Sequence, residues 1–148
     1  MPASVAPVAS PLVGRRLLAL LYDALPLLGV WFLIAALFTA AHGDSVRGGP
    51  LAWLEFAALW LATGGYATYS WRRGGQTIGM RPWKLQVVDA DGGTPGWDRL
   101  WMRYVAGQAS LLLAGAGFWW AWLDRARLTW HDRLSGTRMR RVDQAAPG

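Results

Sequence analysis

The chain has 148 residues, 53% of them hydrophobic and only 16% charged, against roughly a quarter charged in soluble proteins; a single domain is expected. It carries no cysteine, which excludes disulfides, zinc–thiolate centres and thiol nucleophiles. The net charge of +6 comes from basic residues that flank apolar blocks, a pattern that excludes nucleic acid and points to anionic lipid headgroups, and the 11 tryptophans suit membrane interfaces.

Residues 1–13, rich in Pro, Ala and Ser, read as a disordered N-terminal segment. The first apolar block, Leu17 to Ala41, is long enough to cross a hydrocarbon core of about 30 Å even when tilted. A cleaved signal peptide is the competing reading, since "TAAHG" passes for a cleavage site. The block is too long for an h-region, contains Asp23 and is followed by further apolar blocks, so a retained span is expected.

The stretch "HGDSVRGGP" turns the chain into a second block, Leu51 to Trp71, completing a two-helix transmembrane hairpin. Glu55 is placed in the first turn of that second helix, where a carboxylate meets the positive end of the dipole near headgroup water. Gly64 and Gly65 leave room for another helix to approach closely. The texture then becomes polar and basic. "KLQVV" predicts a strand and "DADGGTP" is dense in turn formers, so a short surface β-hairpin is expected in this middle loop. "DADGG" begins like a calcium loop but lacks the later ligands and the terminal Glu, and it reads as a turn.

The third block, Tyr104 to Leu123, poses a topological problem. Arg15 and Arg16 precede the first block and Arg47 lies in the first turn. Six basic residues separate the second and third blocks (Arg72, Arg73, Arg81, Lys84, Arg99, Arg103), and six more follow the third (Arg125, Arg127, Arg133, Arg138, Arg140, Arg141). The positive-inside rule puts the N-terminus and the middle loop in the cytoplasm. A complete third crossing would export the last six arginines. Alternatively, Gly115 and Gly117 break the block into a re-entrant hairpin, which is tolerated where backbone is buried in protein or faces a cavity. Both shapes stay open at this point.

Within the first block, Asp23 is seven residues, two helical turns and roughly 10 Å from Arg16. A carboxylate inside a span is costly, so it should face the bundle and find a partner. Depth along the helices suggests Tyr66 or Tyr69 from the second helix, or Arg103 at the start of the third block. Pro26 lacks an N–H and presses on the Tyr22 carbonyl, loosening the turn beside Asp23. Near the end of the chain, "LTWHDRLSGTRMRR" places His131 and Asp132 in a cap and salt-bridge node on a surface segment, followed by a short strand. With two histidines, the other being His42 on the opposite side, no three-ligand metal set is expected, and no nucleophile has an orienting base. No enzyme activity and no cofactor are therefore expected.

An arginine opening the first helix, an aspartate within it, "GQTIGMRPWKLQVVDADGG" in the linking region and "TWHDRLSGTR" near the end together resemble the RDD family of small bacterial membrane proteins. The resemblance spans roughly residues 14–142, with 143–148 as a tail. It implies that the naming arginine and aspartates are Arg16 (or Arg15), Asp23 and Asp132. Met80 departs from the basic residue expected after "GQTxG". The resemblance further implies an all-α integral protein of the bacterial inner membrane. The candidate polar or ligand cluster is thus Arg16, Asp23, Arg103, His131 and Asp132, on the cytoplasmic side, with Arg15, Tyr66 and Gln76 as secondary candidates. Two functions follow. A carboxylate in low dielectric can exchange a proton for a cation, which suits transport of an ion or small ligand, with a homo-oligomer enclosing the pathway. Otherwise the Arg/Asp cluster is structural, and the protein is a non-catalytic module that assembles with a membrane partner.

Overall fold

The computed structural model describes residues 12–142. The chain folds as α1 (Val13–His42), α2 (Gly49–Gly74), β1 (Leu85–Asp89), α3 (Trp97–Leu112), α4 (Ala116–Leu123), α5 (Trp130–Ser135) and β2 (Thr137–Arg141). Residues 1–11 and 143–148, on which the expected disordered segment and tail fall, lie outside the described residues. Val13, assigned from sequence to that segment, is instead the buried first residue of α1.

Leucine and alanine carry α1 through 30 residues, about 45 Å at 1.5 Å per residue. Pro26 lies inside the helix, and Gly43 ends it in the left-handed region, its N–H bonding the Thr39 carbonyl. The buried residues of α1, Val13, Arg16, Ala19 and Asp23, follow helical spacing and mark one face of its first half. Much of its remaining apolar surface is uncovered, with Leu25 71% and Phe32 78% exposed. An exposed apolar surface of that size marks a contact with a membrane or with another protein. Among the described residues, α1 is the helix that is long and apolar enough to cross a membrane, with a mean hydropathy of 2.1 in its most apolar window.

The second helix, α2, lies against α1 and α3. Gly64 lets α3 in: a Cβ there would lie 2.5 Å from the Trp101 ring and 2.7 Å from that of Tyr104, whereas one on Gly65 would meet nothing. Glu55 stands beyond the first turn of α2, because the helix starts at Gly49, two residues before the apolar block. The third apolar block is broken. Ala114 and Gly115 both adopt positive φ, 55° and 76°, and the Gly115 N–H closes onto the Ser110 carbonyl at 2.8 Å. α4 folds back on α3 so closely that a Cβ on Gly117 would sit 2.5 Å from Ser110 Oγ. The block is thus two helices folded against each other and not one continuous helix.

The expected β-hairpin of the middle loop is corrected by the strand pairing. β1 pairs antiparallel with β2, Val87 opposite Met139 and Asp89 opposite Thr137, so the ribbon joins two segments separated by the whole α3–α4 hairpin. The "DADGG" turn does not connect the strands. Asp89 closes it by accepting from the Asp91 and Gly93 N–H groups at 3.0 and 2.7 Å, and the chain then enters α3. A small core of Ala19, Met80, Leu85, Val87 and Leu100 fixes this ribbon to α1 and α3.

Candidate functional site

Asp23 is 6% exposed, on the buried face of α1. The segment following α2 folds over it. Gly75 ends α2 with φ 71°, Gln76 donates its side-chain amide to the Leu85 carbonyl at 2.6 Å, and the next residues reach the carboxylate. Thr77 donates its hydroxyl to Oδ2 at 2.5 Å, and the Gly79 N–H donates to Oδ1 at 2.8 Å. Tyr66, on α2, donates its hydroxyl to Oδ1 at 2.7 Å and accepts from the Ile78 N–H. Gly79 is needed sterically, since a Cβ there would stand 2.2 Å from the Ala19 carbonyl oxygen. Met80, where the resemblance led us to expect a basic residue, is buried and accepts from Trp71 Nε1 through its sulfur. That position is core.

Asp132 is held differently. Thr129 caps α5 in a capping box: its hydroxyl accepts from the Asp132 N–H, and the Asp132 carboxylate accepts from the Thr129 N–H. The same carboxylate receives two guanidiniums, Arg16 Nη1 on Oδ2 at 2.7 Å and Arg103 Nη1 on Oδ1 at 2.5 Å. Both arginines and Asp132 are 3% exposed or less. Arg16 also donates to Thr129 Oγ1 and Arg103 to Thr137 Oγ1, and Arg103 lies over the Trp71 ring. Burial by itself would raise the Asp132 carboxyl; the Arg16 and Arg103 guanidiniums outweigh it and hold it far below the usual carboxylate range. Next to it, His131 packs on the Phe118 ring, 4.8 Å between centroids, and its buried Nδ1 has no partner. Burial, followed by the repulsion of Arg103, pushes His131 down to about 3. The expected surface node is therefore buried.

The sequence-predicted cluster divides into two networks. Arg16, Arg103 and Asp132 form one; Asp23 and Tyr66 belong to the other. Arg16 does not bond Asp23, and Arg103 serves Asp132. Tyr69 is exposed beneath Arg73. Of the arginine doublet, Arg16 joins the Asp132 network, while half-buried Arg15 joins neither. Gln76 ties the loop to β1 and touches neither aspartate. Both networks line one cavity of about 120 Å³ between α1, α2 and α3, whose remaining wall includes Leu20, Leu27, Ala67, Leu111 and Phe118. Sequence reasoning did not identify Thr77, Gly79, Thr129 or Thr137 as donors or acceptors. It also did not identify Asp124, whose carboxylate accepts from the Ala126 and Leu128 N–H groups and from Arg133, and so shapes the link into α5.

The sequence model of the RDD family matches residues 10–136. Searches of curated proteins and of solved structures return no match. The match covers most of the chain, which therefore belongs to the RDD family.

Proposed function

From that membership we propose a multi-pass module of the bacterial inner membrane, non-catalytic, in which the arginine and the two aspartates fasten membrane helices to a layer on the cytoplasmic face. In this reading α1 and α2 span the bilayer, α3–α4 re-enter it, and the loop after α2, the β-ribbon and α5 form the layer. The exposed apolar side of α1 is left for lipid, a second copy or a membrane partner.

One observation carries the reading: each oxygen of both aspartates accepts from at least one donor on a remote element. A carboxylate that accepts three hydrogen bonds from its own fold has little capacity left for a transported cation. Helix-to-loop fastening of this kind is strong because removal of one partner strands the others. Asp132→Asn would leave two buried guanidiniums undercompensated, a loss of about 3–5 kcal/mol. Asp23→Asn, where the partners are neutral, should lose about 1–3 kcal/mol.

The test uses purified protein in detergent and in proteoliposomes. Both variants should melt below wild type, Asp132→Asn further below, and wild-type vesicles should show no more cation-driven proton flux than empty ones. The second reading, transport, is favoured by the shared cavity, which has Asp23 and His131 in its wall. Flux in wild type that vanishes in a fully folded Asp23→Asn would establish it and overturn the structural one.

A further inference from the structure

A second cavity, of about 220 Å³, opens at the C-terminal end of α2, between its last turn, β1 and the turn after β1. Three arginines line it, Arg72, Arg73 and Arg140, and no carboxylate does. Each is engaged by neutral groups alone. Arg72 Nη1 donates to the Pro95 carbonyl at 3.3 Å. Arg140 donates through Nε and Nη2 to Gln86 Oε1 at 3.2 and 3.1 Å. Arg73 lies over the Tyr69 ring, 5.5 Å from its centroid. None of the three belongs to an ion pair among the described residues. Asp89, the acid of the adjoining turn, is absent from the wall, and its carboxylate is occupied by backbone N–H groups.

Three like charges around one cavity repel each other unless an anion sits among them. The negative end of the α2 dipole supplies only about half a charge, so more than two positive charges remain uncompensated. Three guanidiniums and the Gln86 side chain in one wall are donors of the kind that take the oxygens of a phosphate group, which planar forks bind better than point charges do. Location narrows the source. The cavity starts one turn beyond Tyr69, 53% exposed on α2, at the level where a spanning α2 would leave the hydrocarbon for the headgroups.

We propose that this cavity is a phosphate site that holds the headgroup of an anionic phospholipid. The inference rests on α2 being a membrane span, and the two fail separately: extraction of the protein from phosphatidylcholine membranes by alkaline carbonate would refute the span without any anionic lipid present.

The experiment melts the full-length protein in neutral detergent while dioctanoyl phosphatidylglycerol, dioctanoyl phosphatidylcholine or inorganic phosphate is titrated in. Phosphatidylglycerol should raise the melting temperature saturably and phosphatidylcholine should not. Arg72→Gln and Arg73→Gln, both at exposed positions, should each weaken half-saturation roughly fivefold. Arg73→Lys should weaken it too, because it keeps the charge and loses the fork. Arg125→Gln, an exposed arginine outside the cavity, should leave it unchanged. Equal losses in Arg125→Gln and Arg72→Gln, or an Arg73→Lys that matches wild type, would mean diffuse charge attraction and overturn the site. Saturable stabilisation by inorganic phosphate with none by phosphatidylglycerol would keep the chemistry and overturn lipid as its source.

Discussion

His131 is the residue whose environment departs furthest from what its type prefers, because a weak base is enclosed with two guanidiniums nearby and an unpartnered Nδ1. With its folded value pushed down to about 3 and an unfolded value of about 6.5, it is neutral in the folded protein between those two values, where the unfolded chain is protonated. The unfolded chain takes up the proton first, so acid favours unfolding. Stability is full above about pH 6.5 and falls as pH drops toward 3, by about 1.4 kcal/mol per pH unit. Asp132 acts in the same direction but later: its folded carboxyl is depressed, so its contribution is present above the unfolded value of about 3.9 and declines only below it. Between pH 6.5 and 5 the slope therefore belongs mainly to His131. Wild type should lose about 2 kcal/mol over that interval, and His131→Leu should lose little of it. Denaturant unfolding in detergent at the two pH values measures the difference; equal slopes in the two proteins would refute the assignment.

Among the elements, the loop between α2 and β1 is where sequence and structure part most instructively. The long helices are legible because leucine-rich runs end at glycine-rich turns, and the break in the third block is legible because Gly115 stands in it. Tyr66 is found as a partner of Asp23 because two antiparallel helices bring equal depths together. Thr77 and Gly79 are not found that way. They reach Asp23 across 54 and 56 residues, and nothing local marks a glycine whose task is to let an N–H touch a helix. The strand pairing is hidden for the same reason: β1 has a turn after it that suits a hairpin, and its partner follows only after α3, α4 and α5. The loop's dependence on Gly79 is measurable. A methyl at Gly79 would meet the Ala19 carbonyl and the Asp23 backbone N–H, neither of which can rotate away, so Gly79→Ala should cost about 1–3 kcal/mol and raise hydrogen exchange over residues 76–80. Gly65→Ala, with open space around it, should change stability by at most about 1 kcal/mol, in the stabilising direction. Equal effects of the two substitutions would refute the loop contact.

For the whole molecule, the β-ribbon and the Arg103–Asp132 pair impose a constraint that charge counting leaves open. β1 lies before the third apolar segment and β2 after it, and the two pair antiparallel in a register of five residues each. Arg103 and Asp132 likewise stand on either side of that segment and meet at 2.5 Å. Elements in such contact share one side of a bilayer. The lengths agree, since α3 and α4, with 16 and 8 residues, measure about 24 and 12 Å, and neither alone covers a hydrocarbon core of about 30 Å. Under the proposed topology this arrangement would also remove the conflict with the positive-inside rule, because both arginine-rich segments would share the side of Arg15 and Arg16. A reporter that is active only in the cytoplasm should therefore work when fused after Val142 and when inserted at Gly92, and one active only outside should work in the turn between α1 and α2. If the fusion after Val142 instead reports the periplasm, the third segment crosses the membrane and the pairing of β1 with β2 cannot exist in the cell.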